Sequence, residues 1–268
     1  MILKITLLVW SVCLEFIFLL RVLSWYLLPL KVSPPPTPLN KSRLREIKKK
    51  RDKKTQCYLF ICSSAGEYEQ AKPLFRKLKS TNTYIHILFF SHSGFTFAKK
   101  LGETIEYSRL PPDSIWRCKK ILSILRPTMT IVIRHEIWPA FLSISRKYGP
   151  NILINRTFTE NKKRNRIEKA LYEFYIKIFS LFDRIYVVSK NDLTHQAQTP
   201  PLKTLNMVVA GDTKYDRALE RARERKAISQ SLKKRLKPYL KDQTLIVGSA
   251  WIEDLKVIIA SLQYMKSQ

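Results

Sequence analysis

The sequence predicts an α/β protein with a doubly wound, Rossmann-like parallel sheet. After residue 54, short apolar runs rich in β-branched and aromatic residues alternate with longer amphipathic stretches. Such alternation favours parallel strands covered by helices on both faces. Hydrophobic residues make up 45% of the 268-residue chain, which is ample for a buried core and excludes wholesale disorder.

The predicted elements follow one another regularly along the chain. Six runs predict strands, at Cys57–Cys62, Tyr84–Phe90, Met129–Ile133, Asn151–Ile154, Arg184–Val188 and Asn206–Val209, and Thr104–Tyr107 predicts a weaker seventh. Helical periodicity fills the intervals at Glu69–Lys79, Phe95–Leu101, Ser114–Leu125, Pro139–Tyr148, Arg164–Phe179 and Asn191–Gln198. We therefore expect a Rossmann-like domain over residues 55–214.

The region after this domain is organised differently. A basic helical pattern from Tyr215 to about Leu236 lies in residues 215–242, which we interpret as a helical linker. Leu245–Gly248 then predicts a strand, and Ile252–Met265 predicts a helix. One βα unit cannot bury its own apolar faces. Residues 243–268 are therefore expected to be the start of a second domain that is truncated after this unit.

The N-terminal segment is predicted to attach the protein to a membrane. Residues 5–30 are nearly all apolar and, at about 1.5 Å per helical residue, are long enough to span a bilayer. Glu15 and Arg21 oppose spanning, since each would cost about 2.5–3.5 kcal/mol at mid-membrane. Spanning and interfacial positions thus both stay open. The run is too long for a cleaved signal peptide, and we assign residues 1–32 to a membrane anchor.

Charge indicates the kind of partner. Subtracting 21 acidic from 49 basic residues leaves +28, which attracts nucleic acid, phospholipid head groups or phosphorylated substrates. Residues 33–54 are interpreted as a proline-rich and polybasic linker, whose cations would favour an anionic membrane surface by about 1 kcal/mol each. The positive-inside rule then predicts the inner (cytoplasmic) membrane, with the globular part on the cytoplasmic side.

Polar residues follow the predicted strands at the edge where doubly wound sheets bind ligands. Glu67 and Glu136 come after two of these strands. Each carboxylate is a candidate proton acceptor, or simply complements the positive end of the following helix. The loops contain neither G-x-G-x-x-G nor a P-loop, so nicotinamide and ATP sites lack their usual motifs. Pro139 stands where H-E-x-x-H needs a second histidine, and the four cysteines form no C-x-x-C pair, so no metal site is expected.

Four motifs occur in order along the chain. They are Ser64-Ala65-Gly66-Glu67, His135-Glu136-Ile137-Trp138-Pro139, Gly211-Asp212-Thr213-Lys214-Tyr215-Asp216 and Gly248-Ser249-Ala250-Trp251. In this order they resemble the S-V-G-E, T-E-L-W-P, G-N-L-K-F-D and G-S-T-H motifs of the 3-deoxy-D-manno-octulosonic acid (Kdo) transferases. The resemblance covers nearly the whole chain but only the first half of a family member.

The resemblance implies the N-terminal, acceptor-side half of a two-domain glycosyltransferase of the B type. Such an enzyme moves Kdo from CMP-Kdo to the lipid A precursor with inversion and without a cofactor. Glu67 would be the general base, and Glu136 would support or orient it. The implied substrate-binding residues are Ser64, Gly66, Arg134, Trp138, Asn155, Arg156 and Lys214. CMP-Kdo would need a separate C-terminal half.

Two departures from the family pattern lie in the implied site. The family's N-A-R-L-S appears as residues 155–159, which displaces the arginine by one position to Arg156. Arg134 replaces an acidic residue two positions before Glu136 and so reverses a charge.

Three hypotheses follow from the sequence. The leading one is the acceptor-side half of a Kdo transferase, and the second is a non-catalytic membrane-bound relic of that fold that binds acidic lipid or protein. The third is a basic nucleic-acid-binding protein. Against the third, the cations are spread along the chain and no RRM, KH or helix-turn-helix signature is present, so we expect no nucleic-acid partner.

Overall fold

A seven-stranded parallel sheet forms the centre of the computed structural model. The structure describes residues 6–17, 41–158 without 53, 55, 103 and 104, 178–198, 202, 204–223, 230–239, 245 and 247–267. The strands are β1 (Gln56–Cys62), β2 (Thr83–Phe89), β3 (Glu106–Arg109), β4 (Met129–Ile133), β5 (Asn151–Arg156), β6 (Arg184–Val187) and β7 (Met207–Val209). Their order is β3-β2-β1-β4-β5-β6-β7.

Helices connect the strands, as the sequence predicts. Residues 6–17 form α1, and the following helices are α2 (Lys41–Arg51), α3 (Ala65–Leu78), α4 (His92–Leu101), α5 (Ile115–Leu125), α6 (Pro139–Ser145), α7 (Lys190–Gln198), α8 (Thr213–Arg223), α9 (Gln230–Leu236) and α10 (Ile252–Ser267). Short 3-10 turns lie at Phe179–Leu181 and Lys237–Tyr239. Serine side chains cap the N-termini of α3, α4 and α5 by accepting a backbone N–H.

The core has two layers, one on each face of the sheet. Strand residues that point to one face pack with α5 and α6, and those on the other face pack with α3 and α4. Strands β1, β2, β4 and β5 are buried along most of their length and β6 along half of it, whereas the edge strands β3 and β7 are more open. This two-sided burial explains why the central strands are almost continuously apolar. The predicted α/β class and parallel sheet are confirmed.

The polybasic segment is more ordered than a linker. Leu44 and Ile47 of α2 are buried in the core layer that contains α5. Arg51 donates hydrogen bonds to the backbone carbonyls of Leu125 and Arg126, at 2.7 and 3.3 Å, where α5 ends. The carbonyls at a helix C-terminus lack intrahelical donors, so Arg51 both satisfies them and holds α2 against the domain.

Some predicted elements differ from the structure or lie outside its described part. Residues 245, 247 and 248 are not in a strand, so the predicted strand at Leu245–Gly248 is not formed by its described residues. Residues 164–177 of the predicted helix Arg164–Phe179, and residues 1–5 and 18–32 of the predicted anchor, lie outside the described residues. Among the helices that the structure describes, none combines the length and apolar character that crossing a membrane requires.

The chain divides into two compact units, Met1–Ala222 and Arg223–Gln268. The second unit contains α9 and α10. Large apolar side chains of α10, among them Ile252, Val257 and Met265, are more than half exposed. Within its described residues, this unit has no buried hydrophobic side chain.

Candidate active site

The candidate site lies where the direction of strand order reverses. The sheet runs outward from β1 through β2 to β3 on one side, and from β4 through β7 on the other. The loops that follow β1 and β4 therefore open a crevice at the carboxyl edge, which is where doubly wound sheets bind ligands. Residues 63–64 with the first turn of α3 form the first of these connections, and residues 134–138 form the second.

Glu67 lies in this crevice at the start of α3. Its residue surface is 9% exposed, and its carboxylate accepts a hydrogen bond from the backbone N–H of Ser63. Burial raises the pKa of Glu67, as does the negative charge of Glu136, while the backbone N–H groups of Ser63 and Ser64 and the charge of Arg134 oppose the rise. A carboxylate with a raised pKa is a better proton acceptor at neutral pH than an ordinary one.

Glu136 lies on the facing loop, close enough for its charge to act on Glu67. Its side chain is partly exposed, and no hydrogen bond to it appears among the described residues. The neighbouring His135 contacts the guanidinium of Arg156 through Nδ1. Partial burial, Arg156 and Arg134 lower the pKa of His135, so the imidazole is neutral at pH 7. The effect of the Glu136 charge on the pKa of Glu67 indicates that the two predicted catalytic carboxyl groups belong to the same crevice.

Arg134, which reverses a charge relative to the family pattern, lies close to the acidic residue Asp212. Arg134 adopts a left-handed backbone conformation with φ of 64°, and its guanidinium lies 3.6 Å from the Asp212 carboxylate. The same carboxylate lies 3.5 Å from Lys214 Nζ and is only 5% exposed. In the resembled motif, an asparagine occupies the position of Asp212. Two departures from the family pattern therefore compensate each other, and they join Arg134 and Lys214 in one charged group.

Ser64 and Gly66 line the β1–α3 turn. Ser64 Oγ accepts the backbone N–H of Glu67 at 3.3 Å and caps α3. Both residues are exposed, and a Cβ on Gly66 would meet only Ser64 Oγ within 4 Å, at 3.8 Å. The tight packing instead occurs at Gly94 of α4, where a Cβ would come within 3.1 Å of the Ser64 carbonyl carbon. Gly94 therefore lets the N-termini of α3 and α4 approach each other.

Asn155 and Arg156 are engaged mainly within the protein. Asn155, at φ 57°, donates to Gln70 Oε1 at 3.2 Å and to Thr213 Oγ1 at 2.7 Å, and it accepts the backbone N–H of Thr213 at 3.2 Å. It thereby fastens the start of α8 to the sheet. The Arg156 guanidinium packs 4.8 Å from the Phe158 ring and 5.1 Å from the Phe179 ring, a cation–π arrangement.

Two buried side-chain atoms beside the crevice are polar, Ser63 Oγ and Trp138 Nε1. Among the described residues, neither Ser63 Oγ nor Trp138 Nε1 has a hydrogen-bond partner. The Trp138 ring packs 4.9 Å from the Phe90 ring, so an aromatic pair bridges the ends of β2 and β4. Buried polar groups are normally paired. These two atoms are therefore unusual: they are polar, buried beside the crevice and unpaired within the described part of the chain.

Asp113 stabilises the start of α6 next to the site, a role that the sequence did not predict. The residue is 1% exposed, and its carboxylate accepts the backbone N–H groups of Ala140 and Phe141 at 3.1 and 2.7 Å. Trp138 precedes α6 without capping it through its own side chain, so Asp113 caps this helix from another element. The Pro-Pro-Asp-Ser run marks a helix start, but it contains no signal for this distant contact.

Taken together, the crevice has a buried carboxylate with a raised pKa, a second carboxylate facing it, and cations at its edge. Helices α3, α4 and α6 also begin here, and their N-termini contribute partial positive charge. Such an arrangement can accept a proton from a neutral hydroxyl and bind phosphate or carboxylate groups beside it.

Comparisons with known proteins agree with the motifs at this edge. The family described as 3-Deoxy-D-manno-octulosonic-acid transferase (kdotransferase) matches residues 40–217, a span that contains all seven strands. A Rickettsia typhi protein named 3-deoxy-D-manno-octulosonic acid transferase is 24% identical over 170 residues, which cover 63% of this chain and 34% of the relative. The chain thus matches about a third of that relative's length. Because the family match extends over more than half of the 268 residues, the chain belongs to the 3-deoxy-D-manno-octulosonic-acid transferase family.

Proposed function

We propose that this chain is the acceptor-side half of a glycosyltransferase that moves Kdo from CMP-Kdo to the lipid A precursor. The observation that carries the proposal is the buried Glu67 carboxylate at the switch point of the sheet, with its raised pKa. Membership of the family supports Kdo transfer as the reaction. CMP-Kdo is expected to bind mainly to the C-terminal, donor-side domain of the family's fold, and the exposed apolar residues of α10 are a surface that such a domain could cover.

Glu67 acts as the general base in the proposed reaction. An acceptor hydroxyl gives its proton to the Glu67 carboxylate while its oxygen forms a bond to the anomeric carbon of Kdo. The bond between that carbon and the phosphate oxygen breaks with inversion, and CMP leaves with the electron pair. The Ser63 N–H holds the carboxylate in place, and the negative charge of Glu136 increases its basicity.

Cations and unused donors provide binding. The acceptor is a phosphorylated lipid, so Arg134 and Lys214 are suited to its phosphates, with the carboxylate of Kdo as a second target. Asp212 lies close to both cations and would hold their side chains toward the crevice. Ser63 Oγ and Trp138 Nε1 are buried and unpaired among the described residues, and they would bind the acceptor only after a local rearrangement exposes them.

Membrane attachment belongs to the same proposal. The outer face of α1 exposes apolar side chains, including Val9, Phe16 and Ile17, each more than half exposed. Lys48 and Lys49 of α2 are exposed cations that suit anionic head groups. We therefore propose the cytoplasmic face of the inner membrane as the site of action, where the acceptor lipid would reach the crevice directly.

Transfer of radiolabelled Kdo to the lipid A precursor tests the proposal. The protein would be incubated with CMP-Kdo and acceptor vesicles, with and without an added donor-side domain of the family. Glu67→Gln should lower the transfer rate by at least ~100-fold, the lower end of the usual contribution of a general base. Glu46→Gln is the matched control, because Glu46 lies on the exposed side of α2 and should leave the rate unchanged.

Binding measurements separate the other hypotheses. Flotation with vesicles that contain the lipid A precursor should give the same affinity for the unmodified protein and for Glu67→Gln. Undiminished transfer by Glu67→Gln would refute the assignment of the base. Acceptor binding without transfer in any reconstitution would favour the non-catalytic relic. Tight binding of duplex DNA, with no binding of the acceptor vesicles, would favour the nucleic-acid reading.

A further inference from the structure

The N-terminal helix α1 is fastened to the globular part by polar contacts. Ser11 is fully buried, and its Oγ accepts the backbone N–H of Ile115 at 3.1 Å. Glu15 accepts two hydrogen bonds from the Arg117 guanidinium, at 2.6 and 2.7 Å, and a third from Ser114 Oγ. All three partners lie in the first turn of α5 or at its N-cap. The inner face of α1 therefore matches the start of α5 specifically.

A third contact of α1 reaches the candidate site. Trp10 Nε1 donates to Asp113 Oδ2 at 3.1 Å. The same oxygen accepts the Ala140 backbone N–H, and Oδ1 accepts that of Phe141. One buried carboxylate thus joins α1 to the first turn of α6, which begins directly after Trp138.

We infer that Asp113 is a positioning residue. Through it, the packing of α1 against the globular part sets the conformation of the Glu136–Trp138 segment. Without the Trp10 contact, the Asp113 carboxylate can rotate away from the two N–H groups that it caps. Trp138 has no capping side chain of its own to replace it. The Glu136–Trp138 segment, which leads into α6, is then held less firmly at its α6 end. This inference rests on the proposed function only for its effect on catalysis, since the structural coupling can be measured separately.

Fluorine NMR of the full chain in detergent tests the coupling. The five tryptophans are labelled with 5-fluorotryptophan, and the Trp138 resonance is assigned by its loss in Trp138→Phe. Trp10→Phe removes the indole donor and keeps an aromatic ring. We expect it to displace the Trp138 resonance by more than its linewidth. Glu15→Gln weakens a second α1 contact without touching Asp113, and we expect a smaller displacement in the same direction.

Trp116→Phe is the matched control, because it changes an exposed indole on α5 that is not in the catalytic or binding machinery. It should leave the Trp138 resonance in place. If Trp10→Phe also leaves it in place, or if Trp116→Phe displaces it equally, the coupling is refuted. If Asp113→Asn displaces the Trp138 resonance but Trp10→Phe does not, Asp113 only caps α6 locally. That result would also overturn the inference.

The activity assay provides the catalytic part of the test. In the Kdo transfer reaction, Trp10→Phe should lower kcat several-fold with little change in the acceptor KM, and Trp116→Phe should change neither. A displaced Trp138 resonance with unchanged kcat would overturn the link to catalysis. If even the unmodified protein transfers no Kdo, the proposed function fails, while the fluorine spectra still decide whether α1 and the Glu136–Trp138 segment are coupled.

Discussion

Replacing Glu69 with glutamine should reveal how α3 and α8 are held together. Glu69 lies on α3, and its carboxylate is 3.1 Å from Lys72 Nζ, 2.8 Å from Arg217 Nε and 3.0 Å from Arg221. Arg217 and Arg221 belong to α8, the helix that begins at Thr213 beside Asn155. One carboxylate therefore joins two helices whose N-termini lie at the candidate site.

The expected magnitude follows from burial. The side chains of Lys72 and Arg217 are only 4% and 9% exposed. Glu69→Gln removes the carboxylate that both cations share, while Arg217 keeps its ion pair with Glu220 at 3.3 Å. Because breaking a buried charge pair typically costs about 3–5 kcal/mol, we expect a loss near the lower end of that range. Lys72→Met should cost much less, about 1 kcal/mol, because Glu69 keeps its arginine partners and methionine keeps the apolar stem packed.

Urea unfolding followed by far-UV circular dichroism measures this difference. Glu46→Gln is the matched control, since Glu46 also faces two cations, Arg43 and Lys50, but with side chains 32–46% exposed. It should lose only a small fraction of what Glu69→Gln loses, because water screens the exposed pairs. Equal losses in Glu69→Gln and Glu46→Gln, or in Glu69→Gln and Lys72→Met, would refute the reasoning from burial.

The effect should also depend on pH. Burial opposes the ionisation of Glu69, but hydrogen bonds from Arg217 and Lys72 outweigh it and lower the pKa of this carboxyl below 4.5. Its contribution to stability is therefore present above the ordinary pKa and disappears as pH falls through the lowered value. The difference in stability between the unmodified protein and Glu69→Gln should shrink in strong acid.

Two further predictions concern the site and the fold. The pKa of Glu67 is raised by burial and by Glu136, so kcat/KM should rise as pH increases through that pKa, and Glu136→Gln should move the midpoint of the rise to lower pH. An unmoved midpoint would show that Glu136 does not act on Glu67. Gly149→Ala should destabilise the protein by roughly 2–4 kcal/mol in the same urea assay, because its Cβ would lie 2.2 Å from the Thr128 carbonyl oxygen and backbone must shift. Gly66→Ala, with no such contact, is the control, and an equal loss of stability there would contradict the steric explanation.

The seven strands predicted for the Rossmann-like domain and most helices agree with the structure to within a few residues, whereas the strand predicted at Leu245–Gly248 is not formed by its described residues. Hydrophobic periodicity and serine caps are local properties, and each central strand is buried on both faces, which makes its apolar run conspicuous. The α2 segment shows where this reasoning weakens. Residues 41–54 contain nine cations, which obscure the apolar pattern formed by Leu44 and Ile47, although both of these residues are buried in the core.

The sequence by itself determined the α/β class, the polar loops at the strand ends and the four family motifs, because each depends on residues that are close along the chain. The tertiary structure decided the partners of those residues. Arg134 meets Asp212, and Asp113 joins Trp10 to α6, through contacts between distant segments. The same structure brings Glu136 close enough for its charge to act on Glu67, and it directs Asn155 toward Thr213. Strand order and helix packing bring such groups together, and no local pattern of residue types specifies that proximity.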